Sequence, residues 1–409
     1  MMLSHKASPG AQAGQVIGLD ALRFAAAGLV MLYHLACTAW LVPSSEAAGL
    51  LAAPVGFPGP LPGPLPGPLP ALLPLSASGW IGVPIFFVIS GFVIAYTATG
   101  ATPRRFLESR ALRLLPCAWF CASVTFVLAL GFAPEGVAEL TGRYLKTLLL
   151  FPAPRWIDGV YWTLGIEISF YAFVFALLAL GRTDRLEPAV ACLGLASALA
   201  WCLAATPLVS GLDVLISTRI AKLLLVTHGC EFALGVVIWA ASRRGWTGRR
   251  LAVAALCLTG SLLQIGYDAR FTRHSLGLDP AAWAPLAVPL GLYLGFLGLF
   301  LLSVRTNEHL LRMLGRGAPA LRAIGLSTYP LYLLHTFVGV LAMRAMLALG
   351  LDPLASLAAG IAAAVLAALA VSGWIEPVLR RRLRGLIDRH LQPRDGLLGR
   401  AASTRRKPA

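Results

Sequence analysis

The chain has 409 residues, 58% of them hydrophobic and 13% charged, and that charged share is about half of what a soluble globular domain carries. This composition excludes a water-solvated enzyme built around one apolar core, because the apolar residues come in runs of about 20, the length that crosses a hydrocarbon layer. The formal charge of +16 does not point to nucleic acid, since the basic residues sit between apolar runs and not along one amphipathic face.

Ten spans are predicted, which makes the chain an all-α polytopic membrane bundle. The first five run Ala21 to Val42, Gly79 to Thr99, Leu112 to Phe132, Gly159 to Leu180 and Pro188 to Ser210. The second five run Ile220 to Ala241, Leu251 to Gly266, Ala281 to Val304, Leu321 to Leu349 and Leu354 to Ile375. The first run is too long for a signal-peptide core and is expected to remain as a span. An even count puts both termini on one side, and 26 of the 34 Lys and Arg residues then fall on that side. Positively charged loops stay in the cytoplasm, so both termini are expected there.

Residues 1–20 are read as a cytoplasmic segment, 21–376 as the membrane domain, and 377–409 as a basic cytoplasmic tail that meets anionic headgroups. The outer loop 43–78 repeats Gly-Pro-Leu-Pro from Gly59, Gly63 and Gly67. Proline at every second position favours a stiff, extended spacer. The seven cysteines show no CxxC pair and no His/Cys cluster at metal-ligand spacing, so no metal is expected.

Ionisable side chains inside spans cost a few kcal/mol each and are functional candidates by default. Arg23 and His34 lie eleven residues apart in the first span, close to three full turns, so they share one face. Asp20 stands one turn below Arg23. The alternative is structural, with Arg23 snorkelling to headgroups and His34 bridging helices. Glu167, in Trp162-Thr-Leu-Gly-Ile-Glu167, enters from the outer side to the depth expected for His34. A histidine that takes a proton from an alcohol benefits from a carboxylate that orients it or holds the acceptor.

Ser90 and Gly91 in the second span suit close helix contact. The inner loop that follows carries Arg104, Arg105, Arg110 and Arg113. Arg110 and Arg113, one turn apart, are either stop-transfer charge or a clamp for the phosphates of a nucleotide-bearing donor. In the ninth span Tyr329, Tyr332 and His335 either line an acceptor path or bond neighbouring helices. Glu231, beside His228, is a weaker candidate of the same kind. Glu376 reads as an ion-pair residue beside Arg380.

These segments resemble the acyltransferase-3 family of bacterial membrane O-acyltransferases. The resemblance rests on Leu19-Asp20-x-x-Arg23 with His34, Gly82-Val-Pro-Ile-Phe-Phe-Val-Ile-Ser-Gly91-Phe, Phe106-x-x-x-Arg110-x-x-Arg113-x-x-Pro116 and Trp162-x-Leu-x-x-Glu167-x-x-Phe-Tyr171. It continues through Thr328-Tyr-x-x-Tyr332-Leu-x-His335 to Ile375-Glu376-Pro377. The resemblance implies His34 and Arg23 as the essential pair and Arg110 and Arg113 as acyl-CoA contacts. The chain departs from the family in Thr328, where serine is usual, in Ile168, where many members have a second glutamate, and in a missing lysine between Glu376 and Pro377.

The expected reaction moves an acyl group, acetyl by family frequency, from cytosolic acyl-CoA to a hydroxyl of an extracytoplasmic or lipid-linked glycan. His34 is the general base, Arg23 and Glu167 act with it, Arg110 and Arg113 hold the donor, and Asp20, Ser90, Tyr329, Tyr332 and His335 support the acceptor side. The expected location is the bacterial inner membrane, with membrane lipid as surroundings and no permanently bound cofactor. Competing readings are acylation of a small molecule, a covalent acyl group on His34, and a transporter or flippase.

Overall fold

The structure, a computed structural model, describes residues 16–52, 69–207, 209–276 and 286–391. Lys6, the Gly-Pro-Leu-Pro repeats through Pro68, the start of the eighth expected span at Ala281, and the tail triplet Arg405-Arg406-Lys407 lie outside the described residues. Helix has already begun at Leu69, so the third repeat ends inside a helical segment and not in an extended one.

A hydrocarbon layer offers no hydrogen-bond partner to a peptide group, so apolar runs of this length must be helical. The described residues contain no strand. Their helices are α1 (Gly18–Leu41), α2 (Glu46–Ala52), α3 (Leu72–Ala98), α4 (Pro103–Phe132), α5 (Val137–Leu148), α6 (Gly159–Ala179) and α7 (Thr183–Ala204). They continue with α8 (Leu212–Ile216), α9 (Arg219–Leu223), α10 (Gly229–Arg244), α11 (Gly248–Leu276), α12 (Ala287–Arg305), α13 (Asn307–Ala348) and α14 (Pro353–Arg389). Nine of these, among the described residues, are long and apolar enough to cross a membrane.

The sixth expected span is the exception. Ile220 to Ala241 is not one helix but α9, a turn in which Leu225 adopts a φ of +61°, and then α10. Glycine is absent from that turn, and the left-handed leucine is held because Val226 N–H bonds the Ala221 carbonyl at 2.9 Å. The other boundaries move for ordinary reasons. Thr102 caps α4 by accepting from Arg105 N–H at 3.3 Å, with Pro103 at the first helical position. The loop expected to hold Arg110 and Arg113 is therefore the first turns of a 30-residue helix. Likewise α11 runs well past Gly266, and α14 continues through a π-turn at Val371–Ile375 into the polar segment Glu376–Leu391.

The centre of the bundle is α10, in which every side chain from Gly229 to Ala241 is buried. It reaches that position by backbone contact with α3. A Cβ on Gly91 would lie 2.1 Å from the Phe232 carbonyl oxygen, and one on Gly235 would lie 2.0 Å from that of Val88. Lipid tails supply no hydrophobic drive between helices, so small residues that let backbones approach do this work. The same device joins α1 to α3, where a Cβ on Gly79 would lie 2.0 Å from the Leu29 carbonyl oxygen.

Two further π-turns interrupt regular helix, at Tyr33–Thr38 in α1 and at His335–Gly339 in α13. The two meet in the bundle, and each carries one of the candidate histidines. Gly235→Val is expected to lower stability by about 2 kcal/mol or more, since no side chain can yield where the contact is backbone. A melting temperature in detergent equal to that of the unsubstituted protein would contradict this packing.

Candidate functional site

Among the described residues, two cavities are lined by the candidate side chains. The first, about 120 Å³, is lined by Arg23, Ser90, Arg110, Arg113, Glu167 and Tyr171, with Thr328, Tyr329 and a wall of aromatic rings. The second, about 470 Å³, is lined by His34, Glu46, Asp158, Lys222, His228 and Asp268, with Trp80 and Trp162. Val83 and Tyr332 line both. A single side-chain layer thus separates an arginine-rich chamber from a histidine- and carboxyl-rich one.

In the arginine cavity, three guanidinium groups come from two helices. Arg23 reaches in from α1 with Asp20 Oδ1 3.6 Å from its Nη1. Arg110 lies over the Tyr171 ring, 5.7 Å from its centroid, and Arg113 over the Tyr329 ring at 5.4 Å. Arg113 is also 3.9 Å from Glu376 Oε1, which stands 3.6 Å from Arg380 as well. Aromatic faces hold a guanidinium in place without neutralising it. The carboxylate in this cavity, Glu167, accepts from Ser90 Oγ at 3.2 Å and from the Tyr171 hydroxyl. The chamber is therefore net positive and rich in N–H donors, which suits phosphate.

In the histidine cavity, His34 is half-buried and projects from the π-turn of α1. Its ring centroid lies 5.1 Å from that of His335 on the π-turn of α13. His335 is fully buried, with Nδ1 3.0 Å from the Tyr332 carbonyl oxygen and 3.2 Å from that of Leu331. Two acceptors before Nδ1 require the proton there, leaving the lone pair on Nε2. Tyr332 accepts from Thr163 Oγ1 at 3.0 Å and donates to the Val160 carbonyl at 3.2 Å, and Tyr329 donates to the Leu114 carbonyl at 3.4 Å.

The structure thus brings together some of the residues expected from sequence and separates others. Arg23, Arg110, Arg113, Glu167, Ser90 and Tyr329 share one cavity, and Asp20 touches Arg23. His34 and His335 are neighbours at the other. Arg23 and His34 do share one face of α1, as their spacing implies, but that face spans both chambers. Glu167 and His34 line different cavities. The reason is that Glu167 faces Ser90 in the middle of α3, whereas the π-turn carries His34 on toward α13.

Sequence reasoning missed most of the second cavity. Glu46, Asp158, Lys222 and Asp268 were not singled out, and His228 only as the neighbour of Glu231. Gln264 and Asp268, four apart inside the apolar run of α11, were a readable signal. Gln264 presents one end of its amide to Glu231 Oε1 and to the Thr227 carbonyl at 3.1 Å, so that end is the NH₂. Its oxygen then accepts from His228 Nδ1 at 2.9 Å.

The family described as an acyltransferase domain matches residues 16–373, a stretch that contains both cavities whole. The chain belongs to the acyltransferase-3 family. The exopolysaccharide production protein ExoZ of Rhizobium meliloti (strain 1021) is 31% identical over 339 residues, which are 79% of this chain and 95% of that protein. No solved structure matches the chain. This member of the acyltransferase-3 family is a multi-pass membrane O-acyltransferase.

At the mouth of the histidine cavity the acyltransferase carries a carboxyl clasp outside its spans. Glu46 Oε2 accepts from Gly159 N–H at 2.8 Å, and Asp158 Oδ1 accepts from Val160 N–H at 2.9 Å. Asp158 Oδ2 is buried with no donor group near it except what Glu46 can offer. Burial pushes the Glu46 carboxyl up to about 7, against the pull of Arg143, with Glu135 adding to the rise. Burial and then Glu46 hold Asp158 well above the usual carboxylate range. The folded chain thus keeps a proton that the unfolded chain would release. The stability this gives is complete below the ordinary glutamate value of 4.5 and is lost as pH rises through about 7. The melting temperature in detergent is expected to fall between pH 5 and 8, and Glu46→Gln to flatten that fall.

Proposed function

We propose that the enzyme moves an acyl group, acetyl, from acyl-CoA bound at the cytoplasmic side to a hydroxyl of an extracytoplasmic carbohydrate. An exopolysaccharide or a lipopolysaccharide O-antigen is the acceptor class, in keeping with the relative from Rhizobium meliloti, an exopolysaccharide production protein. The observation that carries this reading is the pair of chambers of opposite chemistry meeting at Val83 and Tyr332. A donor that ends in phosphates and an acceptor that offers only hydroxyls need two such chambers.

On this reading Arg110, Arg113 and Arg23 take the donor's phosphate oxygens, and the aromatic wall takes its apolar arm. The thioester reaches the partition at Tyr332. An acceptor hydroxyl approaches from the histidine cavity, where His34 removes its proton as the oxygen attacks the thioester carbon. The new C–O bond forms, the C–S bond breaks, and the thiolate leaves to be protonated in turn. His335, with its lone pair on Nε2 beside His34, supports the base. Glu167, tied to Ser90 and Tyr171, sets the width of the passage on the donor side. Holding both reactants at one partition supplies much of the rate, because the encounter becomes intramolecular.

The charge distribution supports an orientation in which the Arg110 end and both termini face the cytoplasm, with 21–376 as the membrane domain and the inner membrane as its location. The basic tail after that domain then meets anionic headgroups.

His34→Ala is expected to reduce O-acetylation at least about a hundredfold, the usual contribution of a general base, while the protein still reaches the membrane. Arg113→Ala is expected to raise the KM for acetyl-CoA about tenfold through loss of a charge-assisted bond. Proton NMR of the surface polysaccharide, and steady-state rates on solubilised protein, measure the two. Acetylation retained in His34→Ala would refute the assignment.

A further inference from the structure

The broken sixth span leaves two charged side chains in the histidine cavity that neither fold nor mechanism has used. Lys222 lies on α9 and Asp268 on α11, and both line the cavity. Asp268 stands in the apolar spanning helix α11, where a charge is retained only for a reason, and Lys222 stands on the short helix α9, outside the helices long enough to cross. They attract each other electrostatically, yet among the described residues no close ion pair joins them. Asp268 Oδ2 lies 3.4 Å from the Gln264 amide, and the carboxylate, with more lone pairs than that one contact uses, lines the cavity together with the Lys222 ammonium.

Their placement is rigid. Thr218 caps α9 by accepting from Ala221 N–H at 3.3 Å. Arg219 pins α9 to the start of α6, with Nη1 donating to the Trp162 carbonyl at 2.8 Å and Nε to that of Pro152 at 2.7 Å. This anchorage sets Lys222 Nζ over the Trp162 ring at 5.0 Å. Trp162 also lines the cavity, beside His228, whose ring is 6.1 Å away. The site thus offers a carboxylate that accepts O–H bonds, an ammonium that donates N–H bonds, and an aromatic ring. Opposite charges leave the pair without net charge.

We propose that Asp268, Lys222 and Trp162 form the acceptor subsite, which holds one uncharged pyranose unit so that its neighbouring hydroxyl reaches His34. This rests on the glycan reading above. Asp268 takes hydrogen bonds from two sugar hydroxyls, Lys222 donates to a third oxygen, and the C–H face of the ring packs on the exposed part of Trp162. An anionic sugar would meet Asp268 unfavourably, so an uncharged ring is selected. The break in the sixth span borders this room, with Lys222 before it and Thr227 and His228 after it lining the cavity.

The test uses solubilised full-length protein, acetyl-CoA, and the alkali-deacetylated surface polysaccharide of the producing strain as acceptor. Asp268→Ala and Lys222→Ala, both at half-buried positions, are each expected to raise the acceptor KM about tenfold, as for a lost hydrogen bond to a charged group. The KM for acetyl-CoA is expected to stay within about twofold of the unsubstituted protein. Asp268→Asn, which keeps one accepting oxygen, is expected to fall between. Acceptor KM unchanged in both alanine variants would overturn the subsite, and so would an equal rise in both KM values. If the unsubstituted protein itself transfers nothing to this polysaccharide, the glycan reading falls with it; if it transfers and His34→Ala does not, only the subsite is at stake.

Discussion

A peptide group inside a hydrocarbon layer must find its hydrogen-bond partner in its own segment or in a neighbouring one, and every departure from regular helix in this protein answers to that constraint. The departures are few. Among the described residues they include π-turns in α1, α13 and α14, the break between α9 and α10, and 3-10 turns at Gly79–Ile81 in α3 and Gly315–Gly317 in α13. The first two, together with the break, border the histidine cavity. Irregular backbone at membrane depth is tolerated beside a polar chamber, whereas the π-turn of α14, with Trp374 exposed, lines neither cavity.

The same constraint governs side chains. A guanidinium or carboxylate in this bundle is either at a rim or against a partner that costs little. Arg110 and Arg113 rest on tyrosine rings, Asp20 on Arg23, Glu167 on two hydroxyls. On the proposed reading the donor chamber is stabilised by its ligand, and the aromatic shelves hold it open between turnovers.

Backbone contact between α3 and α10 links the two chambers mechanically. Gly91 and Gly235 bring these helices together at a separation that no Cβ would allow. Phe87, on α3, lies against His228 at 4.8 Å and against Phe232 of α10 at 4.9 Å between ring centroids. Ser90, one turn further along α3, bonds Glu167 in the arginine cavity. One helix thus sets the floor of both chambers, so their separation is a property of packing and not of any loop.

The sequence by itself determined that the chain is a helical membrane bundle, because run length and the scarcity of charge leave no other way to satisfy backbone groups in lipid. It also determined that Arg23, Arg110, Arg113, Glu167 and His34 are unusual, because each lies within or beside an apolar run, and order along the chain was enough to suggest the family. Tertiary structure alone decided who meets whom. Helical spacing reports a shared face on one helix, so Arg23 with His34 was legible; it carries no information on rotation between helices, so whether Glu167, at matched depth, meets His34 was not. A broken helix reads in sequence like a whole one when its turn is apolar, as Leu223 to Val226 is. Lys222 was passed over for that reason, whereas Asp268, four residues from Gln264, was readable in sequence but without a visible partner. Only the folded chain, with the break and the packing of α11, brings them to one cavity.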